Sequence, residues 1–359
     1  MAKATFSAVP AKIRAIGIGG AGCNAITRII REEIKGVDFI AMNTDAQALA
    51  FTEAPQRVQL GERLTRGLGA GGDHNVGAKA AEETREEIYQ LLEGADMVFI
   101  AAGMGGGTGT GGAPIIADIA KQIGALTIAI TTKPFTFEGV HRHKVAEDGI
   151  ERLVSKVDTL IIIPNDRLLQ LCDAKTSVDS AFKLADDVLS QAVHAIAGVI
   201  TVPGMINLDF ADVRSVMKDA GPAWMSIGEG NGQNRAVDAA KKALASPLLD
   251  VSIDGAKGVL FTVTGDNSLT LFEVNEAADI IGQAVDPEAN IIFGVTFNPK
   301  ANSNELKITL IATGFVSRMG TGVATKEELR KLIKGLDQNS LDVPSFMRRT
   351  TAAGYRSPR

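Results

Sequence analysis

The sequence is short of cysteine and of long apolar runs, and each shortage excludes a class of protein. Only two cysteines, Cys23 and Cys172, occur in 359 residues, which excludes a disulfide framework and a cysteine-rich metal site. The longest apolar stretches, such as residues 97–102, fall far short of the roughly 20 residues that a membrane-spanning helix needs. The N-terminal residues lack the apolar core of a signal peptide, so we expect a cytoplasmic protein in a reducing compartment.

The chain also lacks the excess of positive charge that nucleic-acid binding requires. Its 37 Lys and Arg residues stand against 42 Asp and Glu residues, for a formal net charge of −5, so we expect no nucleic-acid partner. Hydrophobic residues make up 45% and charged residues 22%, which is ordinary for a globular chain and excludes wholesale disorder. At about 150 residues per domain, the length predicts two domains and a tail.

The first half of the chain alternates short apolar strands with helix-patterned segments. Strands are predicted at residues 13–18, 39–42, 97–102, 126–132 and 159–163, and helices at residues 24–33, 76–92 and 113–123. Strands that alternate with helices form parallel sheets covered on both faces, so this half predicts a Rossmann-like α/β domain. Ligands of such sheets bind beyond the carboxyl ends of the strands.

The second half predicts a long central helix and then a smaller α/β domain with a mixed sheet. The helix covers residues 177–200 with few breakers and an apolar face at 3.6 spacing. Strands follow at residues 258–264, 290–297 and 305–312, and helices at residues 235–245 and 271–284. The predicted order is a tail (1–12), a first domain (13–176), the central helix (177–202), a second domain (203–315) and a linker with a C-terminal tail (316–359).

What the chain has in excess is glycine, and it is concentrated in three loops. The 38 glycines are about 11% of the chain, against an average near 7%. The loops are residues 17–24, 67–72 and 103–112. Glycine lets the backbone approach a ligand closely, successive N–H groups bind anions, and a helix N-terminus adds partial positive charge. Three such loops together predict a polyphosphate site, while the missing G-x-x-x-x-G-K-[ST] motif excludes a P-loop NTPase.

The first loop leaves a rival interpretation open. Gly17, Gly19 and Gly22 satisfy G-x-G-x-x-G after a strand, which is typical of an NAD-linked oxidoreductase. That fold does not require the denser glycine run at residues 103–112, and no catalytic His or Lys for a nicotinamide stands out. A tight turn between strand and helix is the plain structural alternative for any one loop.

The densest run carries a resemblance to a known family. Residues 105–111, GGGTGTG, match the tubulin-type signature G-G-G-T-G-[ST]-G. Segments at residues 41–45, 132–135, 137–139, 163–166 and 207–213 are similar to the FtsZ family of prokaryotic division GTPases, and LDVPSFMRR at residues 341–349 is similar to that family's C-terminal peptide. The resemblance implies a GTPase that polymerises head to tail into the division ring. A filament of the tubulin superfamily with another task is the alternative.

The resemblance implies a GTP or GDP site built from all three loops. Its expected nucleotide contacts are Gly19, Gly20, Ala21, Gly22, Asn24, Asn43, Ala70, Gly71, Gly103, Gly105, Gly106, Gly107, Thr108, Gly109, Thr110, Gly111, Thr132 and Pro134. Glu138 and Arg142 would contact the ribose and nearby phosphates. Asn165 and Asp186 would bind the guanine, with Phe182 stacked on it. A carboxylate can accept from guanine N1–H and the exocyclic amine together, which adenine cannot offer.

Metal binding is expected to involve Mg²⁺ held mainly by phosphates and water. The pair His141 and His143 has no further ligand candidates nearby, so no metal site made of side chains is predicted. The second loop departs from the family pattern G-A-G-[AG]-[ND]-P, because His74 stands where proline is usual. The stiffness that proline would give this loop is therefore missing.

The resemblance implies that Asn207, Asp209 and Asp212 act on a neighbouring subunit. They follow a predicted helix of some 20 residues, which spans about 30 Å, so they are not expected to reach the glycine loops of their own chain. In FtsZ-like proteins this loop completes the nucleotide site of the next subunit, and its acids position the attacking water, across a head-to-tail contact. Capping of a following helix is the structural alternative for Asp209 and Asp212.

The C-terminal tail is expected to bind a partner rather than to pack on the domains. By resemblance, its apolar and basic residues dock into a groove on a membrane-linked adaptor protein, without insertion of the chain into the membrane. The residues expected to make this contact are Leu341, Val343, Pro344, Phe346 and Arg348.

Overall fold

Ten strands form one sheet in the computed structural model, which describes residues 11–32, 34–172, 176–201, 208–249, 253–297 and 304–315. All of these residues belong to the compact unit formed by Met1–Val316. In chain order the strands are β1 (Ile13–Ile18), β2 (Val37–Asn43), β3 (Gln56–Gln59), β4 (Met97–Gly103), β5 (Leu126–Lys133), β6 (Thr159–Pro164), β7 (Gly221–Asn231), β8 (Gly258–Gly265), β9 (Asn290–Phe297) and β10 (Glu305–Thr313). Their order across the sheet is β3-β2-β1-β4-β5-β6-β7-β10-β8-β9.

Helices connect most of these strands. They are α1 (Gly19–Arg31), α2 (Ala46–Ala50), α3 (Glu62–Thr65), α4 (His74–Glu83), α5 (Arg85–Leu92), α6 (Thr108–Gln122), α7 (Val140–Val154), α8 (Asn165–Leu168), α9 (Val178–Thr201), α10 (Phe210–Met217), α11 (Arg235–Leu244) and α12 (Leu271–Gly282). Short 3₁₀ turns cover Thr136–Glu138 and Leu169–Leu171. Within the described ranges, no helix combines the length and the apolar character that crossing a bilayer requires.

The first six strands form the parallel part of the sheet. The register places Ile18 of β1 beside Ala102 of β4, and Gly103 of β4 beside Thr132 of β5, so these strands end together. Every residue of β5 is buried, as expected for a parallel strand with helices on both faces of the sheet. The loops that follow β1, β4 and β5 therefore meet at the same edge of the sheet.

The remaining strands form the mixed part of the sheet, and α9 joins the two parts. β7 runs parallel to β6 and antiparallel to β10, β10 is antiparallel to β8, and β8 is parallel to β9. The central helix α9 contacts β5 in the first part and both β8 and β9 in the second. This architecture confirms the predicted α/β class, with a parallel sheet, a long central helix and a smaller mixed-sheet region.

Several elements differ from the sequence prediction, and the short β3, α2, α3 and α8 are absent from it. The predicted helix over residues 76–92 divides into α4 and α5 at Thr84, whose hydroxyl donates to the Ala80 carbonyl (3.1 Å) and accepts from Gly61 N–H (2.9 Å). Such back-bonding competes with the helical hydrogen bonds. The helix α7 and the strand β7 were not predicted. Glycines obscure the strand pattern of β7, and they are needed there because an added Cβ at Gly228 or Gly230 would lie about 2 Å from a carbonyl oxygen of α11.

Candidate functional site

Two helix N-termini meet at the edge where the parallel strands end. β1 leads directly into α1, and the loop after β4 leads into α6. Neither N-cap residue, Ile18 or Gly107, makes a side-chain hydrogen bond to its helix, so the first-turn N–H groups of both helices are left for another acceptor. Because β1 and β4 are neighbours in the sheet, the positive ends of both helices face one location. Such an arrangement favours an anion with more than one phosphate.

The three glycine loops are in contact with one another. An added Cβ at Gly19 would lie 3.1 Å from the Gly109 nitrogen, and one at Gly107 would lie 2.7 Å from the Ala70 Cβ. Thr44, at the end of β2, links the second loop to α6, since its carbonyl accepts from Gly69 N–H (3.2 Å). Its hydroxyl lies 2.6 Å from that of Thr108 at the start of α6. The loops therefore form one continuous surface at the edge of the sheet.

The glycines of this surface divide into a packing group and an open group. A Cβ at Gly17 would lie 2.2 Å from the Gly22 carbonyl oxygen, and one at Gly22 would lie 2.3 Å from that of Ala101. Side chains at these positions would push α1 away from the sheet. Gly20 and Gly106 have no atom within 4 Å of an added Cβ. These two glycines, each at or next to a helix N-terminus, therefore present bare backbone to open space.

Most glycines of the signature run belong to the packing group. An added Cβ at Gly107 would lie 3.0 Å from the Asp73 carbonyl oxygen, and one at Gly111 would lie 2.0 Å from that of His74. The Gly105 N–H donates to the Thr110 hydroxyl (2.9 Å) inside the loop. The signature thus locks α6 against α4 and the second loop, and it leaves Gly106 as its open position.

The second loop is held in place without a proline. Asp73 is the N-cap of α4 and accepts from Asn75 N–H (2.8 Å), and its own N–H donates to the Ala70 carbonyl (3.0 Å). The hydrogen bond from Asn75 is the main reason that the pKa of Asp73 is lowered. Gly71 and Gly72 have φ of +60° and +82° and nothing within 4 Å of an added Cβ. His74 occupies the first helical position, where proline is common, and the cap supplies order there.

Residues at the ends of β2 and β5 support the loops from below. Asn43 is buried, and its side chain accepts from Asp45 N–H (3.2 Å). The Thr132 carbonyl accepts from Met104 N–H (3.0 Å), and Pro134 lies 3.3 Å from where a Gly105 Cβ would be. Asn43, Thr132 and Pro134 therefore shape the surface, as buried or packed residues.

Glu138 and Arg142 form an ion pair beside the signature run. Glu138 also accepts from Phe135 N–H (2.8 Å), which fixes the turn before α7. The Arg142 side chain is exposed, and its carbonyl oxygen lies 2.9 Å from the position of an added Cβ at Gly105. The structure thus places this pair next to the glycine loops, with the guanidinium open to solvent.

A buried amide oxygen lies on α8, and an aromatic cluster includes a ring from α9, a helix that contacts α8. Asn165 is buried at the start of α8, and its Oδ1 finds no hydrogen-bond partner in the described part of the protein. An unpartnered buried polar atom is costly and calls for a ligand or water. Phe182 of α9, which is exposed, meets Phe135 edge to face at 5.3 Å, and Phe137 stacks on Phe135 at 5.0 Å. α8 itself packs against α9.

A cavity of about 630 Å³ lies between α1 and α9, next to the first glycine loop. Asn24 and Arg28 line it from α1, and Phe182, Asp186 and Asp187 line it from α9. Burial raises the pKa of Asp186 to about 7, against the pull of Arg28, and the neighbouring Asp187 carboxylate raises it further. A half-buried acid with a displaced pKa inside a cavity is typical of a ligand-binding group.

The structure does not bring the other predicted acids to this edge. Asp209 and Asp212 are exposed at the start of α10, where Asp209 caps the helix by accepting from Asp212 N–H (2.8 Å). At the other end of α10, the Met217 carbonyl accepts from the hydroxyl of Thr159, the first residue of β6. α10 therefore reaches the amino ends of the strands, opposite the glycine loops. Asn207 and the predicted tail contacts lie outside the described residues.

Sequence reasoning missed two residues of this site, Arg28 and Thr44. Arg28 follows Asn24 by four positions in a helix, a spacing that places both on one face, so the helical period offered a signal. Thr44 lies in the segment 41–45 that resembles the FtsZ family, but its link to Thr108 depends on tertiary contact and could not be read from the sequence. Within the described residues, no group of three or more His, Cys, Asp or Glu side chains is arranged to hold a metal ion.

Known proteins resemble this chain over most of its length. Residues 12–173 match the model of the Tubulin/FtsZ family GTPase domain, and residues 221–316 match that of the FtsZ family C-terminal domain. The chain is similar to FtsZ of M. jannaschii in an empty dimer, with 47% identity and a TM-score of 0.84, over 87% of this chain and 90% of that one. It shares its fold with CetZ1 of Haloferax volcanii, a GDP-bound monomer, at 21% identity and a TM-score of 0.73, over 91% and 99% of the two chains.

Proposed function

The chain belongs to the tubulin/FtsZ family of GTPases, and from this premise we propose that it polymerises head to tail, with GTP, into filaments of the cell-division ring. The 47% identity to the M. jannaschii protein, against 21% to CetZ1, favours this role over another filament of the superfamily. Family membership also favours GTP hydrolysis over NAD-linked redox chemistry. The proposed location is the cytoplasm at the division site.

The observation that carries the nucleotide assignment is the combination of open glycines with two acceptors that lack a hydrogen bond within the described residues. Gly20 and Gly106 present bare backbone at two helix N-termini, and this suits phosphates. The Asn165 Oδ1 and the Asp186 carboxylate are acceptors, and they suit the N–H donors of a guanine edge. Phe182, which lines the same cavity as Asp186, supplies an exposed ring for stacking. The two ends of the site thus match the two ends of GTP.

The Gly71-Gly72 turn gives the site a third phosphate-facing segment. Both glycines are open, so their backbone can approach a terminal phosphate without a Cβ. Mg²⁺ is proposed as the accompanying cation, with phosphate oxygens and water as most of its ligands. It would neutralise charge that develops on the phosphates during transfer.

Hydrolysis is proposed to need a second subunit. Asp209 and Asp212 start α10, whose other end lies at the amino ends of the strands, away from the glycine loops. In a head-to-tail filament, the side of the subunit that carries Asp209 and Asp212 would face the glycine loops of the next subunit. The Asp212 carboxylate, whose backbone rather than side chain is engaged by the Asp209 cap, would orient the attacking water. The tail around Phe346 is proposed to bind a membrane-linked adaptor protein.

Nucleotide choice and assembly can be tested together. We expect a competition assay with a fluorescent GTP analogue to show displacement by GTP and GDP and little displacement by ATP. Light scattering at 90° should rise with GTP and remain low with GDP. Equal displacement by ATP would contradict the guanine assignment, and a flat scattering signal at all protein concentrations would contradict the filament.

Sharing of the catalytic residues can be tested by mixing two defective variants. Asp212→Ala should bind GTP normally and hydrolyse it poorly, while Asp186→Asn keeps an intact Asp212 and binds GTP weakly. GTP is held at concentrations that fill the unaltered nucleotide site of Asp212→Ala but not the weakened site of Asp186→Asn. Under these conditions the mixture should recover activity that neither variant has alone. Recovery should rise with total protein, because assembly is bimolecular. Weak GTP binding by Asp212→Ala would show that this acid has a structural role instead.

A further inference from the structure

Arg28 joins the helix that begins at the phosphate-facing loop to the helix that carries the proposed guanine acceptor. It lies in α1, eight residues after Gly20. Its Nη1 donates to the Asp187 carboxylate, and its Nε lies 3.9 Å from Asp186 Oδ2. The Arg28 side chain is 27% exposed, so solvent screens these contacts only in part.

The geometry gives the two carboxylates different relations to the guanidinium. Asp187 accepts a direct hydrogen bond from Arg28. Asp186 is attracted to the guanidinium electrostatically, at 3.9 Å, and makes no hydrogen bond to it. The Asp186 carboxylate, 13% exposed, thereby keeps its lone pairs for another donor. A planar guanidinium with several donors in a fixed fork can serve both acids at once.

Several other charged groups face the same cavity. Besides Asp186, the charged residues that line it are Arg28 and Arg31 on α1, Glu32 just after the end of α1, and Asp179, Lys183 and Asp187 on α9. Arg31 is paired with Glu53, and Lys183 with Asp179. Among the cations of the cavity, Arg28 is therefore the one that attracts the Asp186 carboxylate. The carboxylate that repels Asp186 is Asp187.

We propose that Arg28 is the positioning residue of the guanine site, which holds the Asp186 carboxylate charged and turned toward the base. This assignment rests on the proposed function, since it deepens the role of Asp186. Without the guanidinium, a largely buried carboxylate beside Asp187 would take up a proton more readily. A protonated acid cannot accept from both N–H groups of a guanine edge, so nucleotide affinity at neutral pH would fall.

The test is the pH profile of GTP binding by Arg28→Gln. Removal of a unit charge at about 4 Å should move the acid limb of the profile upward by about one pH unit. Binding near pH 7 should weaken about fivefold, because the competent, ionised fraction of Asp186 falls by that factor. Above about pH 9 the variant and the wild type should converge. Arg28→Lys, which keeps the charge, should return the acid limb close to the wild-type position.

Arg85→Gln is the matched control, because Arg85 has a similar exposure, 32%, and pairs with two carboxylates, Glu82 and Asp118, but does not line this cavity. Its profile should coincide with that of the wild type. If wild-type protein fails to prefer GTP over ATP, the proposed function itself is wrong. If that preference holds, but Arg28→Gln weakens binding equally at every pH or leaves it unchanged, the positioning role is wrong. Thermal unfolding of each variant without nucleotide separates these results from loss of fold.

Discussion

Arg28 and Arg235 each face two carboxylates, and the two clusters differ in kind. Arg235, at the start of α11, bonds Glu273 through Nε (2.6 Å) and Asp266 through Nη1 (3.1 Å), and its side chain is only 4% exposed. The hydrogen bond from Arg235 lowers the pKa of Glu273. Arg28, in the cavity between α1 and α9, leaves Asp186 without a hydrogen bond.

The difference lies in whether the acid is already satisfied. Glu273 also accepts from Thr270 N–H (2.8 Å) in a capping box, and Asp266 accepts from the Ser268 hydroxyl (2.6 Å). The pKa of both acids is lowered, whereas that of Asp186 is raised to about 7. A closed network of this kind stabilises the fold, while an acid that is desolvated but unbonded retains its capacity for a ligand.

The largest effect is expected from opening the closed cluster. Arg235→Met should lower the free energy of unfolding by about 2–4 kcal/mol, because two acids lose a hydrogen-bonded cation that is almost fully buried. Urea unfolding followed by circular dichroism would measure the loss. Arg31→Met, which breaks an exposed pair with Glu53, is the matched control and should change stability little. Equal stability of the two variants would show that the Arg235 network has no structural role.

A second effect should appear in binding and leave stability in place. Asp186→Asn should weaken GTP binding by about 10- to 100-fold, which is the loss expected for hydrogen bonds to a charged acceptor. It should not lower the free energy of unfolding, because the native carboxylate carries a desolvation cost. Isothermal titration calorimetry and urea unfolding measure the two quantities. Asp38→Asn, at an exposed position on β2 outside the cavity, should alter neither. A drop in stability without a drop in affinity would show that Asp186 stabilises the fold and does not bind GTP.

The sequence alone predicted most of the strands and the location of the site. It did not predict the packing that separates the two arginine clusters. Periodicity and apolar runs located most strands, and β1 and β9 have the predicted bounds. The glycine-rich run indicated the site, but it could not tell Gly106, which faces open space, from Gly107, which packs on Ala70. That distinction depends on how α4 lies against α6. The role of Arg235 could not be recognised from the residues around it either, because Glu273 and Asp266 lie more than thirty positions further along the chain.

The smallest effect, and the most specific, is the pH dependence of GTP binding. Because the pKa of Asp186 is raised to about 7, the fraction of protein with an ionised acceptor falls about fivefold from about pH 7 to about pH 6. GTP affinity should fall with it, and it should level off above about pH 8. The same raised pKa has the opposite effect on the stability of the protein without nucleotide, which it lowers as pH rises. Between its unfolded pKa near 4 and about 7, Asp186 holds more proton when folded, so its contribution to stability decreases as pH rises through that range.

Asp186→Asn separates this titration from that of the nucleotide, whose own phosphate titrates near pH 6. The residual pH dependence of the variant belongs to GTP and to the other groups, and the difference between the two profiles belongs to Asp186. We expect that difference to vanish at low pH, where the wild-type acid is protonated and binds like the amide, and to be largest above pH 8. Two parallel profiles would mean that Asp186 stays ionised throughout, and the contrast between the open and the closed cluster would then rest on geometry alone.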